Sequence, residues 1–167
     1  MDTASAYISM DWRQAIVRGE TLEEWQEGAT LFADISGFTP LTEALARELG
    51  PKRGAEELTV YLNRVYDTLI AELHRLKGSV ISFSGDAITC WFDQDVDGLK
   101  ATACALAMQE AIKQFAQIQT RGGNTVSLGM KAAVAVGRVR RFLVGDPRYL
   151  LMDVMAGETL ENMVAAE

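Results

Sequence analysis

Histidine occurs once and cysteine twice in 167 residues, so the side chains that most often build zinc sites and thiol chemistry are nearly missing. Cys90 and Cys104 fall in a strand-like run and a helical stripe, with neither metal-ligand nor CxxC spacing. They read as buried thiols of a reducing compartment. His74 lies in a helical segment, where a lone imidazole reads as structural. Positive charge is also scarce. Sixteen Lys and Arg against 23 Asp and Glu leave a net charge of −7, which disfavours a nucleic-acid partner or an anionic membrane surface but leaves room for a local phosphate pocket. Long hydrophobic runs are absent too. "MDTASAYISMDWRQAIVRGE" contains no apolar signal core, and no segment approaches the length of a membrane span, so the chain is expected to be cytoplasmic with no membrane partner.

What remains is 49% apolar and 23% charged, the composition of one domain able to bury a core. Residues 1–28, with scattered Tyr7, Ile8, Trp12, Ile16 and Val17, read as an arm or short helix ahead of a domain spanning 29–167. "TLFADI" is a strand with both faces covered, and Thr39-Pro40 reads as cap and first residue of a helix reaching Glu48. Leu58, Leu62, Val65, Leu69, Leu73 and Leu76 mark a long second helix ending near Gly78. "SVISF" and "AITCWF" flank Ser84-Gly85 as a tight hairpin with Asp86 just past its turn. Cys104, Met108, Ala111, Phe115 and Ile118 form a further helical stripe. "TVSLGMKAAVAVG" and "RVRRFLVG" follow as a second strand pair, and "GETLENMVAAE" as a closing helix. The order β-α-α-β-β-α-β-β predicts an α+β fold: a ferredoxin-like, mixed and largely antiparallel sheet with helices packed on it. The abrupt end after an apolar helix suggests a piece truncated at its C-terminus.

The chemistry concentrates in "FADISGFTPLTE" and "GSVISFSGDAITCWF". If the hairpin lies beside "TLFADI", Asp34 and Asp86 face each other, and two close carboxylates repel unless a cation lies between them. A hard divalent ion takes one or two carboxylates, with phosphate oxygens and water completing its shell. Ser36-Gly37 leads into a helix start whose free N–H groups suit a phosphate. Taken singly, each aspartate also reads as an ordinary loop acid; the pair with the turn suggests a metal–triphosphate site.

These two stretches resemble the catalytic domain of class III nucleotidyl cyclases, the adenylate and guanylate cyclases, from about Ala29 to the C-terminus, and most of all the first cyclase domain of soluble adenylyl cyclases. The resemblance implies that Asp34 and Asp86, with the Ile35 carbonyl, bind two Mg²⁺ ions, for which Mn²⁺ can substitute. It implies that Ser36, Gly37, Phe38 and Thr39 cradle the β- and γ-phosphates of ATP, GTP being the lesser alternative. "AVGRVRRF" matches a segment whose arginine reaches the triphosphate, which suggests Arg138; a solvated basic strand end at Arg138, Arg140 and Arg141 is the competing reading.

The family works as dimers of catalytic domains, with metals from one half and base-recognition and transition-state groups from the other. Here Ser82 stands at the family's lysine position, four before Asp86. Asp153 lies near the base-specifying position, and residues around Glu161 and Ala165 replace the family's asparagine and arginine. No arginine follows Arg148. The resemblance therefore implies a metal-bearing half that needs a second cyclase domain, in a pseudo-heterodimer or a homodimer. Arg148 is the candidate arginine of a degenerate regulatory pocket, in which Ser82 replaces the lysine and a bicarbonate response is doubtful. A degenerate cyclase-like module that binds nucleotide or dimerises is the non-enzymatic alternative. A diguanylate cyclase fits poorly, because "SGDAI" lacks the second acid.

Overall fold

A computed structural model describes residues 9–146 and 148–166; Tyr7 and Ile8, expected in the N-terminal arm, lie outside the described residues. The chain opens with helix α1 (Met10–Arg18) and strand β1 (Trp25–Ser36), followed by helices α2 (Phe38–Leu49) and α3 (Pro51–Arg75). The hairpin β2 (Ser79–Ser84) and β3 (Ala87–Asp93) leads to α4 (Leu99–Ala111) and a 3-10 turn (Ile112–Phe115). Next come β4 (Ile118–Gln119), β5 (Thr125–Val126), the long β6 (Gly129–Asp146), β7 (Leu150–Ala156) and α5 (Glu158–Ala165). The main sheet runs β2-β3-β1-β6-β7, and β4 and β5 form a separate two-stranded ribbon. Every described ladder is antiparallel, so the expected mixed sheet is antiparallel throughout its described pairings.

Alternation along β1 sorts the two faces of the sheet. Ala29, Leu31, Ala33 and Ile35 enter one core with Ile88, Cys90 and Phe92 of β3, Val65, Leu69 and Leu73 of α3, and Leu41 and Leu45 of α2. Helices α2, α3 and α4 thus cover one face. On the opposite face Trp91, Val139 and Met155 make a smaller cluster with Ile81 and Leu160, under α5. The expected α+β, ferredoxin-like arrangement is observed, its last two main-sheet strands being β6 and β7. Among the described residues no helix is long and apolar enough to cross a membrane.

Three boundaries differ from the sequence reading. Strand β1 starts at Trp25, because Gln26 is buried and Trp25–Gly28 pair with Gly137–Arg140; these residues belong to the sheet and not to an arm. The second strand pair is not split at Gly137. Gly137 faces Gly28 in the ladder with φ 152, and a Cβ there would stand 2.7 Å from Thr159 Oγ1. The glycine lets α5 approach an unbroken strand, and the partner of β6 is β7, formed by residues outside both expected strands. Ile118 lies in β4, beyond the third helical stripe, which ends in the 3-10 turn.

Candidate active site

Strand β1 delivers Asp34 near its C-terminal end, where it pairs with Ala87 on one side and Lys131 on the other. The β2–β3 connection is a two-residue turn, Gly85-Asp86, closed by the Ser84–Ala87 pair, with Gly85 at φ 64. Asp86 therefore sits within the turn and not just past it. The Ile35 N–H donates to the Asp86 carbonyl at 3.2 Å, tying the turn to the end of β1. The expected meeting of the two aspartates at one sheet end is what the backbone shows. No Lys, Arg or His nitrogen lies within ion-pair distance of either carboxylate among the described residues.

The turn into α2 completes this end of the sheet. Gly37 precedes the helix at φ 100, and a Cβ there would meet the Ser127 carbonyl oxygen at 2.3 Å, so glycine is required twice over. The helix begins at Phe38, one residue before the expected Thr39 cap, and no side chain caps it. The Phe38 ring is buried in the core, and the uncapped helix start leaves the backbone N–H groups of Gly37, Phe38 and Thr39 just beyond Asp34, while Ser36 is paired with Gly129 in the β1–β6 ladder. Such an uncapped helix start attracts anions.

The sequence reading missed two residues here. Lys131 is Asp34's direct partner across the β1–β6 ladder, exposed, with no carboxylate within ion-pair distance among the described residues. Tyr66 on α3 donates its hydroxyl to the Gly85 carbonyl at 3.1 Å. Burial, then the charges of Asp86 and Asp34, push its phenol above the ordinary tyrosine value, so both carboxylates act on one hydroxyl. Neither residue belongs to the two stretches that carry the aspartates; only strand register and helix docking bring them in.

Arg138 is not at this end. It pairs with Glu27, seven residues along β1 from Asp34 and on the opposite side of the pleat, which at about 3.3 Å per residue sets the two roughly 23 Å apart. Its guanidinium stacks over the Trp25 ring, 4.7 Å from the centroid. The competing reading of a solvated basic end holds for Arg140, which pairs with exposed Glu24, and fails for Arg141. Arg141 is 1% exposed. It is held by the carboxylates of Asp11 on α1 and Asp153 on β7, by Gln26 Oε1 at 3.2 Å, and by the Ser9 hydroxyl at 3.0 Å.

That cluster occupies the Asp153 side chain. A cavity of about 800 Å³ opens between β2 and β7, lined by Ile81, Ser82, Phe83, Thr89, Met152 and Leu160 among others. Asp153 borders it, but its carboxylate is bound to Arg141 and accepts from the Ser9 hydroxyl at 2.7 Å. It is already partnered and does not stand free to contact a nucleobase. Burial alone would push Asp11 up, but the hydrogen bond and charge of Arg141 outweigh it and hold Asp11 below the ordinary carboxylate value. Ser82 is exposed beside a register shift in β2. Arg148 turns to Asp146 at 2.7 Å, and Glu161, Asn162 and Ala165 are exposed on α5.

Two aspartates, one free ammonium and an open helix start suit a cation bound jointly with phosphate. Among the described residues no group of three or more His, Cys, Asp or Glu could enclose an ion, so an all-protein cage is not what this site offers. The buried thiols do not enter it: burial pushes Cys104 up to about 12 and Cys90 further in the same direction.

No protein-family model matches the chain. By sequence it is 26% identical over 125 residues, 74% of its length, to adenylate cyclase type 10 of Oryctolagus cuniculus. It is 28% identical over 102 residues, 59% of its length, to adenylate cyclase 1 of Rhizobium meliloti (strain 1021). The chain spans only 8% of the first relative and 14% of the second. In structure it matches the adenylyl cyclase CyaB from P. aeruginosa with a TM-score of 0.71 at 24% identity, over 87% of this chain and 76% of that one. It matches a bacterial light-regulated adenylyl cyclase with a TM-score of 0.72 at 18% identity, over 98% of this chain and 47% of that one. Relatives by sequence are thus adenylate cyclases, and the fold is that of class III cyclase catalytic domains.

Proposed function

We propose that the chain is the metal-bearing half of a class III nucleotidyl cyclase, converting ATP to cyclic AMP and pyrophosphate when paired with a complementary cyclase domain. The observation that carries this is the junction at the end of β1, where the Ile35 N–H to Asp86 carbonyl bond joins the two aspartate-bearing segments beside the start of α2. Mg²⁺ fits the donor set, because it takes one or two carboxylates and keeps phosphate oxygens and waters as its other ligands. Asp34, Asp86 and the Ile35 carbonyl would hold two ions. Bound there, these would lower the pKa of the ribose 3′-hydroxyl and stabilise the charge of the departing pyrophosphate.

The chain's own residues orient the substrate. The N–H groups of Gly37, Phe38 and Thr39 hold the β- and γ-phosphates, and Lys131 adds a positive charge from the neighbouring strand. The 3′-oxygen, its proton passing to water, attacks the α-phosphorus as the bond to the α,β-bridging oxygen breaks, so one P–O bond forms and one is lost and pyrophosphate leaves with that oxygen. Adenine selection and transition-state donors come from the partner, because this chain's β2–β7 cavity offers Ser82, an Asp153 bound to Arg141, and no arginine on α5.

That same depletion supports the second reading, a degenerate module that binds nucleotide without turnover. Calorimetry of ATP with Mg²⁺ tests the shared part of the two: Asp34→Asn and Asp86→Asn are expected to abolish metal-dependent binding while leaving the melting temperature within a few degrees. Equal ATP affinity in both variants and wild type would remove the metal site. Turnover on adding a complementary domain would exclude the second reading.

A further inference from the structure

Helix α3 is fixed to the core by Val65, Leu69 and Leu73, each fully buried. Tyr66, beside Val65, leaves that core on the flank nearest the β2–β3 hairpin. Two contacts join it there: the hydroxyl bond to the Gly85 carbonyl at 3.1 Å, and an edge-on packing against the Phe83 ring with centroids 5.2 Å apart and planes at 83°. The turn it touches is otherwise lightly held. Gly85 has a left-handed backbone, and a Cβ built there would meet nothing within 4 Å, so the turn projects into open space. Beyond the Ser84–Ala87 pair that closes it, the tie on the turn residues themselves is the Asp86 carbonyl held by Ile35 N–H. One carbonyl of the turn is therefore fixed by β1 and the preceding one by α3.

We propose that Tyr66 is a positioning residue of the carboxylate pair, its hydroxyl setting the Gly85-Asp86 turn so that Asp86 and Asp34 converge on the same cation–nucleotide complex. The charges of both aspartates at its phenol agree with this placement. A turn with a left-handed glycine and one tether samples several orientations, and each reorientation moves a ligand carboxylate that must be placed within a fraction of an ångström. The second tether selects one of them. The inference rests on the metal–nucleotide reading above.

The experiment measures Mn²⁺ binding to the intact chain in saturating ATP, by Mn²⁺ electron paramagnetic resonance and by calorimetry. Tyr66→Phe keeps the ring against Phe83 and loses only the hydroxyl. It is expected to raise the Mn²⁺ half-saturation five- to tenfold, with the same maximal occupancy at high Mn²⁺ and a melting temperature within a few degrees of wild type. Phe83→Leu loosens the ring packing but keeps the hydroxyl, and is expected to leave the half-saturation within twofold. A half-saturation unchanged in Tyr66→Phe overturns the inference, as does an equal shift in both variants, which would assign the effect to packing. If wild type and Asp34→Asn bind ATP alike with and without Mn²⁺, the metal reading itself fails and takes this inference with it, a result distinct from either of those.

Discussion

Lys131 shows how a single position acquires a role from its neighbour across a strand. Directly opposed residues in an antiparallel ladder hold their Cβ atoms about 4.5–5.5 Å apart, so the ammonium works in the field of Asp34. It is not consumed by that carboxylate, because no ion-pair contact forms between them. A phosphate placed at the start of α2 would take it as a charge-assisted donor. Such a contact, discounted for exposure, is worth about 1 kcal/mol, or roughly fivefold in affinity. Lys131→Met is accordingly expected to weaken Mg²⁺–ATP about fivefold by calorimetry without shifting the denaturation midpoint; unchanged affinity would return Lys131 to an ordinary surface lysine. Asp34 and Asp86 were legible in the sequence because both sit in short motifs where strand, turn and acid are contiguous. Lys131 and Tyr66 were not, since register between distant strands and the facing of a docked helix are tertiary facts. Arg138 was misread for the same reason: its motif places it on β6, but only the ladder shows that Glu27 and not Asp34 lies beside it.

At the scale of elements, α1 is joined to the sheet by charge as much as by apolar contact. Arg141 links it to β7 through Asp11 and Asp153, and the Asp11 N–H donates to Ser79 Oγ at 3.1 Å. Removing one partner of a buried ion pair costs about 3–5 kcal/mol, because a charge is left without compensation in a poorly solvated place. Arg141→Met, which strands Asp153, is expected to lower stability by that much in urea denaturation; a loss under about 1 kcal/mol would mean that water enters the cluster freely. The pH dependence follows from Asp11, whose folded pKa is depressed below the ordinary 3.8. Its contribution is full above that value and is lost as pH falls through the lower, folded one. The stability gap between wild type and Asp11→Asn is expected to be constant above about pH 4 and to close below it, and a gap that widens on acidification would contradict the assignment. None of this was legible in the sequence. A polar N-terminal stretch with scattered apolar residues looks like a solvated arm, and an arginine next to two others looks like a basic surface. β7 went unassigned because "LLMDVMA" runs without clear period into the closing helix.

The sheet carries α2, α3 and α4 on one face, and α5 with α1 on part of the other. Asp34, which alternates with the core residues Ala33 and Ile35 along β1, faces the less covered side. The order of elements was legible, because helix and strand periods differ plainly in this chain; the side that Asp34 faces became visible only once β1's alternation was fixed in the sheet. The proposed function, a half-site completed by a second domain, makes a quantitative expectation about turnover. A donor that stabilises charge developing on the phosphoryl group is commonly worth ~10²–10³-fold in rate. The positions that would supply it on α5 hold Glu161, Asn162 and Ala165, with no arginine after Arg148. A symmetric pair of these chains would hold two metal-bearing edges and no such donor. The isolated chain is therefore expected to form cyclic AMP and cyclic GMP at rates at least a hundredfold below a mixture with a cyclase domain carrying the family's lysine, asparagine and arginine, whether Mg²⁺ or Mn²⁺ is supplied. Turnover of the mixture is expected to vanish when Asp34→Asn is introduced in this chain, which separates its own catalytic contribution from activity of the added domain alone. Robust turnover by the isolated chain would place the missing donor on α5 after all, with Asn162 the first residue to substitute.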